Sequence, residues 1–268
     1  MRTELKGHTD RVVNIRFHPR TGTLDPDGPN IATASADTKV KLWSLNPDYE
    51  FQKSIDIGKH DDIVNCVEFH PMGIHLASGS HDKTWRLYDM EKKKELLVQE
   101  GHAGPIYAMS FSGDGSLICT GDLHGIGLVW DLRSGKNILQ FPAHVKQIIS
   151  VQFLPNGYQV ATGSDDNTVK IWDLRKKGNV QTIPAHTKLI SDIKFEAQGR
   201  LMVTSSYDNK CKLWSAGCPD SQSVLLRTLS GHENKVTSAC FTKNLEHIMT
   251  TSFDRTFKLW KMQKPGGK

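Results

Sequence analysis

Short runs that alternate hydrophobic with polar residues recur along the whole chain. In each copy a β-branched residue lies four positions after a histidine, and a phenylalanine lies nine positions after it. An apolar run and a turn follow, as in Tyr158–Thr162, and then a second run such as Thr168–Trp172. Runs of this length that are rich in β-branched and aromatic residues predict strands. The pattern therefore predicts an all-β protein built from one repeated unit.

The repeat has a regular period. Four of the histidines follow one another at intervals of 42 residues: His60, His102, His144 and His186. The aromatic residue that ends a unit lies 28 positions after the histidine in five copies, but 35 positions after it in the first, from His8 to Trp43. The units cover about 7–45, 59–90, 101–132, 143–174, 185–215 and 231–261. A further apolar run between units, such as Asn137–Phe141, gives each unit four predicted antiparallel strands.

Three short marks recur in these units: Gly-His at the start, Ser-x-Asp in the middle and Trp, often Trp-Asp, near the end. With a period of about 40–45 residues, they are typical of β-propeller blades. The chain resembles the WD-repeat propellers, and the resemblance covers nearly all of it. It implies a single propeller domain over 1–268 with six Gly-His to Trp units. A fold of this kind hosts many functions, so the marks alone do not specify one.

The motifs suggest that side chains of each repeat form one hydrogen-bonded chain. Such a chain is strong when every member has a partner. We expect it to join the histidine, the serine two before the turn aspartate, that aspartate and the tryptophan. The complete sets are His8, Ser35, Asp37, Trp43; His144, Ser164, Asp166, Trp172; His186, Ser206, Asp208, Trp214; and His232, Ser252, Asp254, Trp260. The second unit has Tyr88 for tryptophan, and the third has Asp122 and His124 at the middle positions. We therefore expect these two units to be locally weaker.

Composition restricts the class of protein. The 268 residues are 37% hydrophobic with a mean hydropathy of −0.44, and no apolar run approaches the ~18 residues of a membrane span. The segment Met1–Lys6 has no apolar core and does not predict a secretory signal. Four of the five cysteines fall in predicted strands and are expected to be reduced, packed thiols of an intracellular protein: Cys66, Cys119, Cys211 and Cys240. Histidine spacing predicts no metal site, and no cofactor is expected.

Both ends of the repeat array leave an alternative open. Residues 2–6 resemble the strand that precedes each later Gly-His mark. Six units and one leading outer strand fit a closed six-bladed ring, or a seven-bladed ring that lacks its first blade. The seven extra residues of the first unit include Leu24, Asp25 and Pro26. An insertion confined to one repeat is a candidate partner contact, and a tolerated surface loop is the alternative.

Basic residues are concentrated in the connections that follow the third strands. The net charge is +5, and the sequence pI is about 8.9. We expect these connections to share one face with the insertion of the first unit. They supply Lys92, Lys93, Lys94, Arg133, Lys136, Arg175, Lys176 and Lys177. Such a set suits a phosphate backbone or an acidic protein, and solvated loop tips are the alternative. No aromatic residue is interleaved in these connections, so base stacking is not expected there.

The opposite face carries the residues that precede the turn aspartates. Among them His81, Tyr207 and Phe253 are candidate contacts, because aromatic residues dominate interface hot spots. Packing against neighbouring loops is the alternative for Tyr207 and Phe253. Catalytic motifs are missing from the sequence: it has no Gly-x-Ser-x-Gly elbow, no Walker A lysine loop and no dinucleotide fingerprint. We therefore expect a protein that is not an enzyme.

Six longer runs narrow the resemblance: 17–45, 82–91, 99–111, 115–136, 156–175 and 182–196. They resemble the WD-repeat subunits of the spliceosomal U4/U6 small nuclear ribonucleoprotein (snRNP), the family of pre-mRNA-processing factor four. The insertion Leu24–Pro26 and the segment His124–Gly127 are the most discriminating, because generic WD repeats have neither.

This resemblance implies a nuclear scaffold of the U4/U6 and U4/U6.U5 snRNPs that acts in pre-mRNA splicing. It implies association with pre-mRNA-processing factor three and leaves open whether the chain contacts U4/U6 snRNA. It also implies a seven-bladed ring and an upstream region that engages a cyclophilin. That region has no counterpart in this sequence, so cyclophilin binding is left open. The alternative is a generic WD-repeat adaptor, such as a ubiquitin-ligase substrate receptor or a signalling scaffold.

Overall fold

The computed structural model describes residues 5–19, 31–45, 51–216 and 222–262. Regular structure in these residues is β-strand, and none of them forms a helix long and apolar enough to cross a membrane. The predicted contacts Leu24, Asp25 and Pro26, and also Cys218, lie outside the described residues. The chain divides into two compact units, one of residues 1–123 with 128–138 and one of residues 124–127 with 139–268.

The first unit contains sheets 1 and 2 and most of sheet 3, and the strands of each antiparallel sheet pair in chain order. Sheet 1 is formed by β1 (Val12–Phe17), β2 (Ile31–Ser35), β3 (Lys39–Leu45) and β4 (Phe51–Lys59). Sheet 2 is formed by β5 (Val64–Phe69), β6 (His75–Ser80), β7 (Trp85–Asp89) and β8 (Lys94–Gln99). Sheet 3 is formed by β9 (Ile106–Phe111), β10 (Leu117–Asp122), β11 (Ile126–Asp131) and β12 (Lys136–Pro142).

The second unit contains the other three sheets, which follow the same order. Sheet 4 is formed by β13 (Ile148–Phe153), β14 (Gln159–Ser164), β15 (Val169–Asp173) and β16 (Gly178–Ile183). Sheet 5 is formed by β17 (Ile190–Phe195), β18 (Leu201–Ser206), β19 (Lys210–Ser215) and β20 (Val224–Ser230). Sheet 6 is formed by β21 (Val236–Phe241), β22 (His247–Ser252) and β23 (Phe257–Lys261). The predicted all-β class is confirmed, with four strands in five sheets and three described strands in the sixth.

The core of the first unit shows how one sheet packs on the next. The second and third strands of sheet 1 contribute Ala34 and Leu42, which are buried in one cluster with Val64, Val67 and Phe69 of β5 and neighbouring residues. Alanine and leucine side chains of one sheet thus meet valine and phenylalanine side chains on the first strand of the following sheet. Burial of such side chains is the main favourable term in folding. A sheet that lacks a neighbouring sheet on one side cannot bury the face on that side.

The second unit repeats this arrangement. Val169 and Ile171 of sheet 4 belong to a buried cluster with Ile190 and Ile193 of sheet 5. A further cluster joins Val203, Cys211 and Leu229 of sheet 5 to Ala239 and Ile248 of sheet 6. The face that each sheet turns to its successor is therefore formed by equivalent positions of the repeat.

The turn between the second and third strands has the same backbone in all six sheets. The residue after the turn position has a positive φ, for example 71° at Thr38 and 70° at Asn167. In the third sheet this residue is Gly125, with a φ of 76°. A side chain there would collide with the backbone carbonyl of His144, whose amide donates to the Gly125 carbonyl at 3.0 Å. The unusual glycine of the third repeat is therefore required by a close backbone approach.

Candidate functional site

Each repeat places a buried chain of polar side chains at one end of its sheet. In sheet 1, Nδ1 of His8 lies 2.7 Å from Oδ2 of Asp37, and Nε2 lies 2.7 Å from Oγ1 of Thr33. The indole N–H of Trp43 donates to the same Thr33 oxygen at 2.7 Å. The hydrogen-bonded chain therefore runs from aspartate through histidine and threonine to tryptophan, and it joins β2, β3 and the turn between them to the loop before β1.

The same chain occurs in the other sheets. The histidine–aspartate distances are 2.8 Å in sheet 2, 3.0 Å in sheet 3, 2.8 Å in sheet 4, 2.9 Å in sheet 5 and 2.7 Å in sheet 6. The bridging hydroxyls belong to Thr33, Ser78, Thr120, Thr162, Thr204 and Thr250. In sheet 2 the hydroxyl of Tyr88 takes the place of the indole, 3.1 Å from Oγ of Ser78. Tyr88 thus completes the chain of the second repeat.

The serine of the Ser-x-Asp mark has a different role from the one we expected. The hydroxyl of Ser35 accepts the amide N–H of Asp37 at 3.1 Å and donates to the carbonyl of Arg11 at 3.0 Å. Ser164, Ser206 and Ser252 bond in the same way, each to its own turn aspartate and to a loop carbonyl. These serines hold the turn, and the bridging hydroxyl lies two residues earlier.

Strand register explains this correction. Trp43 lies opposite Ile31, so Thr33 is its diagonal neighbour on the same face of the sheet. Ser35 lies two residues further along and is out of reach of the indole. A signal in the sequence could have revealed the bridging residue, because a hydroxyl occurs four positions before the turn position in all six repeats.

In the third repeat the carboxylate occupies a different sequence position, but the hydrogen-bonded chain of side chains is retained. Asp122 occupies the serine position, and its Oδ2 lies 3.0 Å from Nδ1 of His102. Thr120 bridges His102 to Trp130 at 2.7 and 2.9 Å. The side chains of His102 and Asp122 are each 1% exposed. The hydrogen-bonded chain is therefore complete in the second and third repeats, which we expected to be weaker. Their missing motif residues are thus no reason to expect weakness.

The pKa values of the histidines and aspartates indicate the protonation state of these hydrogen-bonded chains. Burial lowers the pKa of His60 and His144, and the neighbouring aspartates offset this only in part. Burial also raises the pKa of the Asp37 carboxyl, but hydrogen bonds from His8 and from backbone amides outweigh it, so the net pKa is lowered. The same balance lowers the pKa of Asp208 to about 2. A neutral histidine that donates from Nδ1 to a carboxylate and accepts a hydroxyl proton at Nε2 satisfies every member.

The eight predicted basic residues lie at the other end of their sheets, and all eight are exposed. Six lie in the turn after the third strand, and Lys94 and Lys136 are the first residues of the fourth strands β8 and β12. Lys92, Lys93, Lys94, Arg133 and Lys136 belong to the first unit, and Arg175, Lys176 and Lys177 belong to the second. In sheets 2–6 the residue after the third strand donates its amide to a carbonyl of the first–second turn, as Leu174 does to Tyr158 at 2.9 Å. Both turns therefore share one end of the sheet, as expected. The insertion of the first repeat, Leu24–Pro26, lies outside the described residues.

Arg175 differs from the other basic residues. Its guanidinium pairs with Asp173 through two hydrogen bonds of 3.2 and 2.9 Å. These hydrogen bonds lower the pKa of the buried Asp173 carboxyl to about 2. The guanidinium also lies over the ring of Tyr158, 3.4 Å from its centroid. Tyr158 of the adjacent first–second turn therefore lies beside this basic turn, and the charge of Arg175 is largely compensated by Asp173.

Two of the predicted contacts of the opposite end come together in the second unit. The rings of Tyr207 and Phe253 are 6.0 Å apart at an interplanar angle of 87°. Nζ of Lys235 lies 4.8 Å from the centroid of Tyr207. Phe253 is 55% exposed, and Lys235 is also exposed. An edge-to-face aromatic pair beside a cation is a rigid, amphipathic surface suited to protein contact.

The third predicted contact, His81, lies in the first unit. Its ring packs against Tyr107 with 5.3 Å between centroids at an angle of 66°. Its amide donates to the carbonyl of Ile63 at 2.9 Å, which fixes the turn. Nε2 is buried without a hydrogen-bond partner among the described residues. His81 therefore packs against the neighbouring sheet.

Cysteine burial agrees with the sequence for three residues. Cys66, Cys119 and Cys211 are buried free thiols, and burial raises the pKa of Cys66 to about 12. Cys240 lies in β21 as expected but is exposed. The described part of the chain contains no group of three or more histidine, cysteine or acidic residues that could hold a metal ion.

Comparisons with known proteins bear on the whole chain. A family model described as the IFT122 first β-propeller matches residues 1–261. Nuclear distribution protein PAC1 of Arthroderma benhamiae is 34% identical over 128 residues, which are 44% of this chain and 26% of that protein. Coatomer subunit beta'-1 of Arabidopsis thaliana is 32% identical over 109 residues, which are 40% of this chain and 11% of that protein.

A third relative is WD repeat and SOCS box-containing protein 1 of Xenopus tropicalis. It is 30% identical over 112 residues, which are 41% of this chain and 25% of that protein. The matches thus span about a quarter or less of these curated relatives. The names of these three relatives differ from one another, and none of them refers to splicing.

Proposed function

The chain belongs to the WD-repeat β-propeller family that the IFT122 first β-propeller represents, and from this premise we propose that it is a non-catalytic scaffold of the U4/U6 snRNP. In this proposal it acts in the nucleus, in pre-mRNA splicing, and joins the U4/U6.U5 particle. Its partners are snRNP proteins, with pre-mRNA-processing factor three as the expected one, and U4/U6 snRNA through the basic turns.

The observation that carries the proposal is the set of basic turns. All eight side chains are exposed, and within each sheet they lie at one end. Lys92, Lys93 and Lys94 follow one another without a described acidic partner. Exposed lysines on short turns suit the phosphates of an RNA backbone, because each contact releases a bound counterion.

The third repeat supports the choice of this family over a generic WD repeat. Its departure from the common pattern at Asp122 and His124–Gly127 belongs to the resemblance with U4/U6 subunits. The structure accommodates this departure. Asp122 completes the hydrogen-bonded chain with His102, and Gly125 permits the close approach of the His144 backbone.

Charge reversal in nuclear extract tests the proposal. Tagged chains are immunoprecipitated, and the bound RNA is sequenced. The wild-type chain should enrich U4 and U6 RNA together, and reversal of Lys92–Lys94 and of Arg175–Lys177 to glutamate should lower that enrichment at least roughly tenfold. The matched control reverses Lys146, Lys188 and Lys210, exposed lysines at the opposite end of their sheets. It should retain enrichment within about twofold.

Salt dependence gives a second measurement of the same contacts. Loss of three phosphate contacts should reduce the slope of log affinity against log salt for a U4/U6 duplex by about 2–3. Equal enrichment by wild type and by both reversal variants would contradict the RNA-contact role. Absence of U4 and U6 RNA from a folded wild-type chain would contradict the snRNP assignment itself.

The second candidate is a generic WD-repeat adaptor. The variety of the relatives favours it, since one is named for a SOCS box and another for coatomer. The pair Tyr207 and Phe253 offers such an adaptor a protein-binding surface. Mass spectrometry of the same immunoprecipitates distinguishes the two, because cullin subunits without snRNP proteins would favour the adaptor.

A further inference from the structure

A pocket of about 400 Å³ lies at one end of sheet 2, in the first unit. It opens between the turn that joins β5 to β6 and the turn that joins β7 to β8. Ile74 and Met90 give the pocket apolar walls, and Asp89 and Glu91 bring two carboxylates to it. A pocket of this composition suits a cation that is carried on an apolar stem.

The carboxylates of this pocket are available to such a cation. Oδ1 of Asp89 accepts the amides of Glu91 and Lys92 at 2.9 and 2.8 Å. The hydrogen bond from Lys92 is the main reason that the pKa of the Asp89 carboxyl is lowered, so this group is charged at neutral pH. Neither Oδ2 of Asp89 nor the Glu91 carboxylate has a hydrogen bond or ion pair within the described residues. Nδ1 of His75, another lining residue, is buried and likewise has no partner there.

The turn after the third strand has the same backbone in sheets 2 and 4. In each, Oδ1 of the last aspartate of the strand accepts the amides two and three residues later. These distances are 2.9 and 2.8 Å for Asp89, and 2.9 and 3.2 Å for Asp173. Four residues after the aspartate φ is positive, with 52° at Lys93 and 49° at Lys177. Sheet 4 therefore shows what this turn can hold.

Sheet 4 holds its own arginine at this place. The Arg175 guanidinium donates to Oδ2 of Asp173 at 2.9 Å and lies over the ring of Tyr158. In sheet 2, Glu91 stands at the position of Arg175. Ile74 stands at the position of Tyr158, since each of their carbonyls accepts the amide of the residue after the third strand. The cation of sheet 4 is thus replaced by a second anion in sheet 2, and the corresponding place is the pocket.

Lysines next to the pocket are compatible with a bound cation. Lys92 and Lys93 follow Glu91, and Lys176 and Lys177 follow Arg175 in the same way. All four lysines are exposed, and the ion pair of Arg175 forms beside two of them. Water and salt screen exposed charges of this kind.

From this comparison we propose that the pocket of sheet 2 binds the guanidinium of an arginine side chain that a partner protein supplies. Asp89 and Glu91 accept its N–H groups, and Ile74 and Met90 contact its stem. Arginine fits better than lysine, because its planar fork of donors can reach two carboxylates at once. The proposal is independent of RNA binding by the basic turns, since phosphates would be repelled by these two carboxylates.

Nuclear magnetic resonance titration of the full chain with N-acetyl-arginine N-methylamide tests the proposal. We expect saturable shifts of the backbone amides of 73–75 and 89–92, with a dissociation constant on the order of millimolar, because a single exposed ion pair contributes little. The citrulline analogue has the same shape without the charge and should bind at least roughly fivefold more weakly. The lysine analogue should bind at least roughly twofold more weakly, because its ammonium is not a planar fork.

Variants of the turn identify the groups that bind the probe. Glu91→Arg gives sheet 2 the pattern of sheet 4, so its own arginine should occupy the pocket and weaken probe binding at least roughly tenfold. Asp89→Asn keeps an acceptor for the two amides but removes the charge, and it should weaken binding at least roughly fivefold. Asp131→Asn is the matched control, because Oδ2 of Asp131 already accepts the Ser134 hydroxyl at 2.9 Å. It should retain binding within about twofold.

The reverse change in sheet 4 sharpens the test. Arg175→Glu should create a second site for the arginine probe, with new amide shifts at Tyr158. Circular dichroism verifies that each variant is folded. Three results would overturn the proposal: no saturable shift at the named amides, equal binding of either analogue, or unchanged binding by Glu91→Arg. Binding that appears only in an Arg20→Ala chain would also overturn it, and would assign the pocket to an arginine of the chain itself.

Discussion

Sheets 5 and 6 have the same hydrogen-bonded chain but very different surroundings. The bridging threonine lies 2.9 Å from the histidine ring in sheet 5 and 2.8 Å in sheet 6. Val203 and Cys211 of sheet 5 are 0% and 1% exposed, whereas the equivalent Met249 and Phe257 of sheet 6 are 38% and 65% exposed. The polar chain therefore forms within each sheet, and apolar burial depends on whether another sheet covers the face.

This difference separates two contributions to stability. The hydrogen bonds within a repeat are made by its own strands and the loop before them. Their contribution to the free energy of unfolding should therefore be equal in the two sheets. Apolar burial needs a neighbour, so it should be larger in sheet 5. Four measurements of unfolding by urea, each followed by circular dichroism, can break or sharpen this comparison.

The largest effect is expected from the tryptophans. Trp214→Ala should lower the free energy of unfolding by about 3–5 kcal/mol, because a buried aromatic side chain is replaced by a cavity. Trp260→Ala should cost at least about 1 kcal/mol less, since Trp260 is only partly buried and water can fill the space. Equal losses would show that the exposed flank of sheet 6 does not weaken its core.

The bridging hydroxyl should have the next largest effect, and it should be equal in the two sheets. Thr204→Val leaves the rings of His186 and Trp214 without a shared partner, which should cost about 1–3 kcal/mol. Thr250→Val should cost the same within about 0.5 kcal/mol. Thr182→Val on the exposed strand β16 is the control and should have little effect. A much smaller loss at Thr250 would make the polar chain depend on the neighbouring sheet.

Acid should weaken both sheets in the same direction. The pKa of Asp208 is about 2 in the folded chain, below the value of about 3.9 expected when unfolded. Its stabilising contribution is therefore present above about pH 4 and is lost as the pH falls towards 2. Asp208→Asn should flatten the dependence between pH 5 and 3 by about 1 kcal/mol, a figure reduced for solvent screening. An unchanged pH dependence in this variant would contradict the assignment. The pKa of Asp254 is also lowered, chiefly by its hydrogen bonds with Thr256 and His232, so its contribution should be lost in the same direction as the pH falls.

The smallest effect is expected on the uncovered face. Met249→Ala should change the free energy of unfolding by less than about 0.5 kcal/mol, because the side chain is already in contact with water. Val203→Ala at the equivalent position of sheet 5 is the matched comparison and should cost about 2 kcal/mol. A large loss at Met249 would mean that something covers this face in solution.

The candidate contacts were partly predictable from sequence. The exposure of Lys92 and Phe253 follows from their place in turns, and turns lie at the surface. The ion pair of Arg175 with Asp173 and its stacking on Tyr158 could not be predicted, because Tyr158 belongs to a different turn. The packing of His81 on Tyr107 likewise depends on the approach of the next sheet.

The sequence by itself determined the repeat, the strands and their order, because alternation and turn residues act over a few neighbouring positions. It also contained every member of the polar chains. Only the tertiary structure decided that Thr33 rather than Ser35 bridges the histidine, and that Asp122 replaces the missing turn aspartate. These outcomes depend on which residues lie diagonally across paired strands. Burial was also decided by the tertiary structure, since Val203 and Met249 occupy equivalent positions of the repeat and are 0% and 38% exposed.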